Sequence, residues 1–315
     1  MIERPFAWIQ ARAGIGGMAA VFLAPNLLVF GIFILLPIAI NAWYSLTGGS
    51  ALFLPERSFV GLEQYRTLLD CGSFADPATC GEDRFLRSVH NTAFFVVVQV
   101  ALLVLAALAT ALVLDRDMKA RGFWRAVFFF PVLLSPVVVG LIWKWILQRD
   151  GLLNAALVGL GFDRINWLAD PGWAMFWSVF VSIWAHLGFY ALILLAGLQA
   201  IPKEVYEAAE MDGTGRVRVL RRIVLPLLWP SLLVVIVLAM IRAVQIFDEI
   251  FVLTGGGPGT ATLFLVQYIY ETGFAAQLRN LGLASSASML MGAVLMLLTL
   301  LQIGLAAWRD RRAKA

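Results

Sequence analysis

Long apolar runs alternate with short polar stretches along the whole chain. Six of these runs reach roughly twenty residues or more, which is the length that a helix needs to cross the hydrocarbon core of a bilayer. Prolines fall inside the first and third runs, and membrane helices tolerate them where neighbouring groups satisfy the freed backbone. The pattern predicts an all-α integral membrane protein with six transmembrane helices, at Ala19–Leu46, Val89–Leu114, Phe123–Leu147, Trp173–Leu198, Ser231–Leu253 and Ala284–Trp308.

The same runs divide the chain into three parts. Residues 1–18 form a short basic lead, residues 19–308 the six-span domain, and residues 309–315 a basic tail. Hydrophobic residues make up 61% of the chain and charged residues 14%, and the mean hydropathy is +0.85, whereas a soluble protein of this length needs much more polar surface. The net charge of +4 is spread over several loops, so we expect a lipid bilayer and no nucleic acid as partner.

The distribution of Lys and Arg predicts the orientation. Fifteen of the 24 basic residues lie in the lead, the tail and the even-numbered connections, and seven lie in the odd-numbered connections. Because basic residues concentrate in cytoplasmic loops, we expect both termini in the cytoplasm. The connection between the fourth and fifth spans is then cytoplasmic as well.

That connection, Glu204–Pro230, is the most polar interval between two apolar runs. We predict a helix from Glu204 to Met211, an interruption at Gly213 and Gly215, and a second short helix that Pro226 ends. Such a helix–turn–helix outside the bilayer is either a docking element or an ordinary basic cytoplasmic loop. The second half contains four arginines, Arg216, Arg218, Arg221 and Arg222.

The letters of this interval resemble a known motif. Glu207-Ala208-Ala209, then Gly213, then Ile223-Val224-Leu225-Pro226 are similar to the EAA loop of the membrane subunits of ABC importers. We call residues 204–226 the EAA segment. In that family the helix of this loop sits in a groove of a cytoplasmic ATPase, which implies a coupling role for five residues: Glu207, Ala208, Ala209, Asp212 and Gly213.

Further stretches resemble the permeases of the carbohydrate-uptake branch, of the maltose and glycerol-phosphate type. They lie within most of residues 59–288 and comprise Phe59–Tyr65, Phe85 with Asn91-Thr92, Gly151–Asn154, Phe247-Asp248, Leu253–Pro258 and Tyr268–Tyr270. The resemblance implies a type I ABC importer permease fold in the bacterial inner membrane. It also implies a second homologous permease, two cytoplasmic ATPase subunits, a periplasmic solute-binding protein and a sugar-like substrate.

Nucleotide chemistry is not expected in this chain. None of its four lysines closes a glycine-rich phosphate-binding loop. We therefore expect no cofactor and no catalytic residue here, and ATP and Mg²⁺ bound by the partner ATPase.

Charged residues inside the spans are costly and mark candidate functional faces. Arg242, Gln245 and Glu249 recur at i, i+3 and i+7, which is one stripe of the predicted fifth span, and Asp248 lies beside them. Either this stripe lines the path of the substrate, or Arg242 pairs with a carboxylate and only holds helices together. His186 in the fourth span is either a substrate contact or an interhelical hydrogen bonder.

The two cysteines, Cys71 and Cys80, lie in the first outer loop. We expect a disulfide there if the outside is a periplasm, the alternative being two free thiols. With only two histidines, no zinc site is expected. Two other classes compete with a transport subunit, namely an ion-coupled secondary transporter of small polar solutes and a membrane-embedded enzyme.

Overall fold

The computed structural model describes residues 3–275 and 279–314, with side chains from residue 14 to residue 304 of those ranges. The described residues are helical and contain no β-strand. Fourteen α-helices follow one another: α1 (Glu3–Phe30), α2 (Leu36–Tyr44), α3 (Glu63–Leu69), α4 (Asp83–Asp115), α5 (Arg121–Phe129), α6 (Pro136–Leu147), α7 (Leu152–Gly159), α8 (Pro171–Gln199), α9 (Lys203–Met211), α10 (Arg216–Val219), α11 (Leu225–Val244), α12 (Asp248–Thr254), α13 (Leu265–Tyr270) and α14 (Leu281–Lys314).

Five continuous helical stretches are long and apolar enough to cross a membrane. They are Gly14–Tyr44, Asp83–Asp115, Pro171–Gln199, Arg216–Val244 and Leu281–Gly304. A sixth crossing is counted if the bent pair Arg121–Leu133 and Pro136–Gly159 forms one span. The prediction of an all-α, multi-pass membrane protein is confirmed.

The bent pair shows what the prolines of the third apolar run do. Its two arms meet at 99°. Pro131 lies in a short 3₁₀ turn, Phe130–Leu133, that ends α5, and Ser135 in extended conformation precedes Pro136 at the start of α6. Each proline removes one backbone donor and fixes φ, so the chain changes direction between them. The predicted break is therefore confirmed.

The predicted fifth span is wrong at its C-terminal end. Helix α11 ends at Val244, and a separate helix, α12, begins at Asp248. Ile246, between them, is 2% exposed, and Phe247 stacks on Phe251 with ring centroids 5.0 Å apart. Burial of Ile246 and stacking of Phe247 on Phe251 favour the break between the two helices. Arg242, Gln245 and Glu249 consequently do not form one continuous helical stripe.

The prediction that Pro226 ends a short helix is also wrong. Helix α10, a wider π-helical turn at Leu220–Val224 and α11 follow without interruption from Arg216 to Val244. Pro226 is the second residue of α11. The π turn immediately before it has a different hydrogen-bond register, so the missing N–H and the ring of Pro226 are accommodated there.

The chain divides into two compact units. One unit comprises residues 1–67 and 272–289, and the other residues 68–271 and 290–315. In the first unit, Ser286 Oγ donates to the Ser45 carbonyl at 3.0 Å, and Asn41 Nδ2 donates to Ser288 Oγ at 2.8 Å. These bonds join the end of α2 to α14.

The core of the second unit lies between α4, α8 and α11. Small side chains such as Ala107, Ala111 and Ala191 are almost completely buried at these crossings. A Cβ at Gly188 would collide with the Phe128 carbonyl, and one at Gly197 would collide with Ser231. Small residues let membrane helices approach closely, and that packing is what associates them in lipid.

The glycine-rich loop before α13 is a fixed structure. Gly255, Gly256 and Gly259 have φ of +62°, +88° and +60°, which favours glycine over other residues. Asn91 Nδ2 donates to the Thr260 carbonyl at 2.7 Å, and Thr92 Oγ1 accepts from the Leu265 amide at 2.9 Å. The predicted absence of a regular helix at residues 255–259 is confirmed, and α4 holds the loop.

Candidate functional site

The turn of the EAA segment is built by backbone hydrogen bonds at the end of α9. The Gly213 amide donates to the Glu210 carbonyl, and the Thr214 amide donates to the Ala209 carbonyl, both at 2.9 Å. Together with the left-handed φ of +64° at Gly213, these bonds form a Schellman motif. The left-handed turn is therefore at Gly213, while Gly215 has a φ of −64° and is the N-cap of α10.

The five residues of the EAA segment that were singled out from the sequence do not share one surface. Glu207, Ala208, Asp212 and Gly213 are exposed, whereas Ala209 is 5% exposed and faces the interior of its own unit. Four of the five residues are thus available to a partner, and Ala209 is not.

A charged pocket of about 580 Å³ lies at the base of α9. Asp115, Arg121, Lys203 and Tyr206 contribute to its lining. Arg121 Nε donates to the Leu114 carbonyl at 2.6 Å. Burial raises the pKa of the Tyr206 phenol, and the nearby Asp115 carboxylate raises it further, so the phenol stays neutral at physiological pH. The pocket connects α9 to the turn between α4 and α5.

Gln199 extends this connection. With its side-chain oxygen facing the two guanidinium groups, it accepts hydrogen bonds from Arg121 Nη2 and Arg125 Nη2, each at 3.1 Å. The end of α8 and the first half of α5 are therefore linked by hydrogen bonds beside the pocket at the base of α9.

A second cavity, of about 240 Å³, lies at the bend between α5 and α6. Its wall contains Pro131 and Pro136 together with the polar side chains of His186, Arg242 and Glu249. The structure thus brings three of the five residues suggested for a substrate path to one cavity. Gln245 and Asp248 are exposed and do not line it.

Glu249 differs from the other polar residues of this cavity because it is almost completely buried. The residue is 1% exposed, and its Oε1 has no hydrogen-bond partner among the described residues. No ion pair joins it to Arg242 within 4.0 Å in the part of the chain that the structure describes. His186 Nδ1 donates to the Ser182 carbonyl of the same helix at 2.8 Å. A buried, unpaired carboxylate oxygen at a cavity wall suits a polar ligand.

One continuous helix joins the EAA turn to this cavity. The stretch Arg216–Val244 has 29 residues and is therefore about 43 Å long. Arg216 follows the turn at Gly213, and Arg242 lies in the last turn of the same helix. Arg242, a side chain of the cavity wall, thus lies on the same uninterrupted helical stretch that begins directly after the EAA turn.

Cys71 and Cys80, 9 positions apart in the chain, form a disulfide bond. Within the loop, Thr79 Oγ1 accepts from the Ser73 amide, and Asp76 accepts from the Ala78 amide. Among the residues that the structure describes, no group of three or more His, Cys, Asp or Glu could hold a metal ion.

Comparison with known proteins assigns the family. Residues 103–315 match the model of the family described as binding-protein-dependent transport system inner membrane component. The chain belongs to this family. It is therefore a transport permease subunit and not a catalytic enzyme, and ATP hydrolysis is the task of a partner ATPase. The assignment decides against both the ion-coupled secondary transporter and the membrane-embedded enzyme.

Several relatives match most of the permease. It is 34% identical over 287 residues to the probable ABC transporter permease protein YurN of Bacillus subtilis, covering 90% of this chain and 93% of that one. It is 32% identical over 297 residues to the sulfoquinovosyl glycerol transport system permease protein SmoG of Agrobacterium fabrum, covering 93% and 91%. It is 38% identical over 241 residues to the trehalose/maltose transport system permease protein MalF of Thermococcus litoralis, covering 76% and 78%.

A solved structure confirms the fold. A chain of a bacterial ABC transporter that imports the acidic polysaccharide alginate superposes on the permease with a TM-score of 0.78. The match covers 96% of this chain and 98% of that one at 22% identity. The predicted ABC importer permease fold is therefore shown.

Some residues of these sites are not identifiable from local sequence patterns. Tyr206 precedes the EAA letters directly, and Arg121 and Gln199 lie more than 75 residues apart in the chain, so no local pattern joins them. Pro131 and Pro136 were interpreted as breaks only, although the bend that they create forms the cavity. The sequence feature that indicates this bend is the pair of prolines, five residues apart within one apolar run.

Proposed function

We propose that the permease is one half of the membrane pathway of an ATP-driven importer for a sugar or sugar derivative, located in the bacterial inner membrane. Six spans with both termini in the cytoplasm place the EAA segment on the side where ATP is available. The relatives named for trehalose/maltose and for sulfoquinovosyl glycerol support a carbohydrate substrate. The observation that carries the proposal is the continuous helix from the EAA turn to the cavity.

The partners proposed are a second homologous permease, two cytoplasmic ATPase subunits and a periplasmic solute-binding protein. A structural neighbour is an alginate ABC transporter in complex with its periplasmic protein, which supports the last of these. Glu207, Ala208, Asp212 and Gly213 present the EAA turn to the ATPase, and Ala209 fixes α9 to the permease. No cofactor is assigned to this chain, and ATP and Mg²⁺ belong to the ATPase subunits.

Arg242, Glu249 and His186 are proposed to contact the substrate. The carboxylate of Glu249 can accept hydrogen bonds from sugar hydroxyls, and the guanidinium of Arg242 can donate hydrogen bonds to the oxygens of those hydroxyls. The cavity carries one positive and one negative side chain, so it suits a polyhydroxylated ligand better than a strongly anionic one. Gln245 and Asp248, which are exposed beside the cavity, join the path where the second permease covers them.

The test is ATP hydrolysis by the purified complex in nanodiscs, with and without the substrate-loaded binding protein. We expect the binding protein to stimulate hydrolysis, and Glu207→Ala to abolish the stimulation. Glu210→Ala removes the same charge from the same exposed helix outside the EAA letters and serves as the control, with stimulation retained. If no ATPase subunit co-purifies, or if uptake follows an ion gradient, the proposal is wrong.

A further inference from the structure

The basic half of the EAA segment consists of exposed arginines, namely Arg216, Arg218, Arg221 and Arg222. Among the described residues, none of their side chains forms a hydrogen bond or an ion pair. Four guanidinium groups within seven residues repel one another, and a bound external anion would offset that repulsion.

The position of these arginines along the helix indicates where that anion lies. Helix α11 has 20 residues and is about 30 Å long, which equals the thickness of the hydrocarbon core. With Leu225 at one edge of that core, Arg221 and Arg222 are about 4–6 Å beyond it. The headgroup layer of each leaflet is about 5–7 Å thick, so both guanidinium groups lie at the depth of the lipid phosphates.

The spacing also groups three of the four side chains. Arg221 and Arg222 follow Arg218 at i+3 and i+4, which places them on one side of the helix. Two of them lie in the π-helical turn Leu220–Val224, directly before the membrane-crossing part. A planar guanidinium binds phosphate through paired hydrogen bonds, so this group suits the phosphate of a lipid headgroup.

Charge is divided along the EAA segment. Helix α9 and its cap carry the acidic residues Glu204, Glu207, Glu210 and Asp212, and the arginines begin only after the turn. The acidic, exposed end is the part proposed to meet a soluble partner. The basic part lies closer to the bilayer, and an anionic membrane surface attracts it by about 1 kcal/mol per arginine.

We propose that Arg218, Arg221 and Arg222 form a binding site for the phosphate of an anionic phospholipid headgroup. The lipid then fixes the membrane entry of the helix that joins the EAA turn to the cavity. The site does not depend on which face of the membrane is cytoplasmic, because it is defined by its distance from the hydrocarbon edge.

The experiment measures the affinity of the complete transporter for short-chain phosphatidylglycerol by native mass spectrometry, with short-chain phosphatidylcholine as the neutral lipid. Arg221→Gln/Arg222→Gln is expected to weaken the tightest phosphatidylglycerol site about 30-fold, or about fivefold per arginine, with phosphatidylcholine unaffected. The matched control Arg116→Gln/Lys119→Gln removes two exposed basic charges from the turn between α4 and α5 and should change the affinity less than about twofold.

Three results would overturn the proposal. Equal losses in both double variants would mean a general charge effect. Displacement of the lipid by millimolar inorganic phosphate would mean a site for soluble anions. Loss of the ATPase subunit with unchanged lipid affinity would mean that the arginines contact an acidic protein surface. If the glutamine variant does not fold, Arg221→Lys/Arg222→Lys replaces it, because this variant keeps the positive charges. Its affinity for phosphatidylglycerol should fall as the salt concentration rises, as for the wild type.

Discussion

The backbone amide of Thr214 donates to the carbonyl of Ala209 at 2.9 Å, across the left-handed residue Gly213. This bond closes the exposed EAA turn upon the one residue of the motif that is buried in the permease. A partner that moves the turn therefore moves α9 as a rigid piece. The geometry of the turn, rather than its charge alone, is what the EAA letters specify.

Gly213→Ala is expected to weaken the turn, because a Cβ disfavours a φ of +64° by about 1–2 kcal/mol. Gly215→Ala is the matched control, since Gly215 has a φ of −64° and nothing within 4 Å of a new Cβ. Co-purification of the ATPase subunit at limiting concentration measures the effect. We expect a loss of about fivefold or more for Gly213→Ala only, and equal behaviour of both variants would contradict this account.

Glu249→Gln should impair uptake at the cavity. The substitution keeps the size of the side chain but removes a charged acceptor whose hydrogen bonds contribute about 1.5–3 kcal/mol. We expect the KM for uptake to rise about tenfold or more, with the complex still assembled. Asp248→Asn, at the exposed neighbouring position, should raise the KM less, because that carboxylate does not line the cavity. A larger rise in KM for Asp248→Asn than for Glu249→Gln would contradict the assignment of Glu249.

Gly140→Ala should destabilise the permease by about 1–3 kcal/mol. A Cβ at this position would lie 2.6 Å from the Glu249 carbonyl oxygen and 3.0 Å from Val252 Cβ, and a backbone carbonyl cannot rotate away. Gly122→Ala, in α5 with nothing within 4 Å of the new Cβ, is the control and should be neutral. Thermal unfolding in detergent compares the two proteins, and equal stabilities would mean that α6 and α12 are less tightly packed.

The disulfide in the loop between α3 and α4 can be checked directly by labelling. Since Cys71 and Cys80 are the only cysteines of the chain, a maleimide should label the protein only after reduction, at two sites. Cys71→Ser should expose one reactive thiol without reductant. Labelling of the untreated wild type would show that the bond is not formed.

Much of the fold follows from hydropathy, because membrane-crossing length and apolar composition are local properties. The helices at residues 83–115 and 171–199 contain the predicted spans almost completely. The end of α11 was not predictable, since Gln245-Ile246-Phe247 contains neither Gly nor Pro. There the burial of Ile246 and the stacking of Phe247 on Phe251 favour two helices over one continuous helix.

The candidate sites also combine features that the local sequence specifies with features that depend on tertiary packing. The turn at Gly213 was predictable, because glycine after a helix of good formers specifies it locally. The exposure of Ala208 and the burial of Ala209 depend on where α9 packs, so adjacent letters of one motif turned out to have opposite environments. His186, Arg242 and Glu249 share one cavity with Pro131 and Pro136 of the third apolar run, so their proximity depends on the bend of that run.

The central claim is that the exposed face of the EAA turn docks on an ATPase subunit, and cross-linking tests it most directly. Both native cysteines are first replaced, by Cys71→Ser and Cys80→Ser, and a single cysteine is then introduced at Ala208 or at the adjacent Ala209. The ATPase subunit carries cysteines around its permease-facing groove. The assembled complex is treated with a short bifunctional maleimide. We predict a permease–ATPase cross-link for Ala208→Cys and none for Ala209→Cys. Absence of the first cross-link, or equal yields at both positions, would contradict the account.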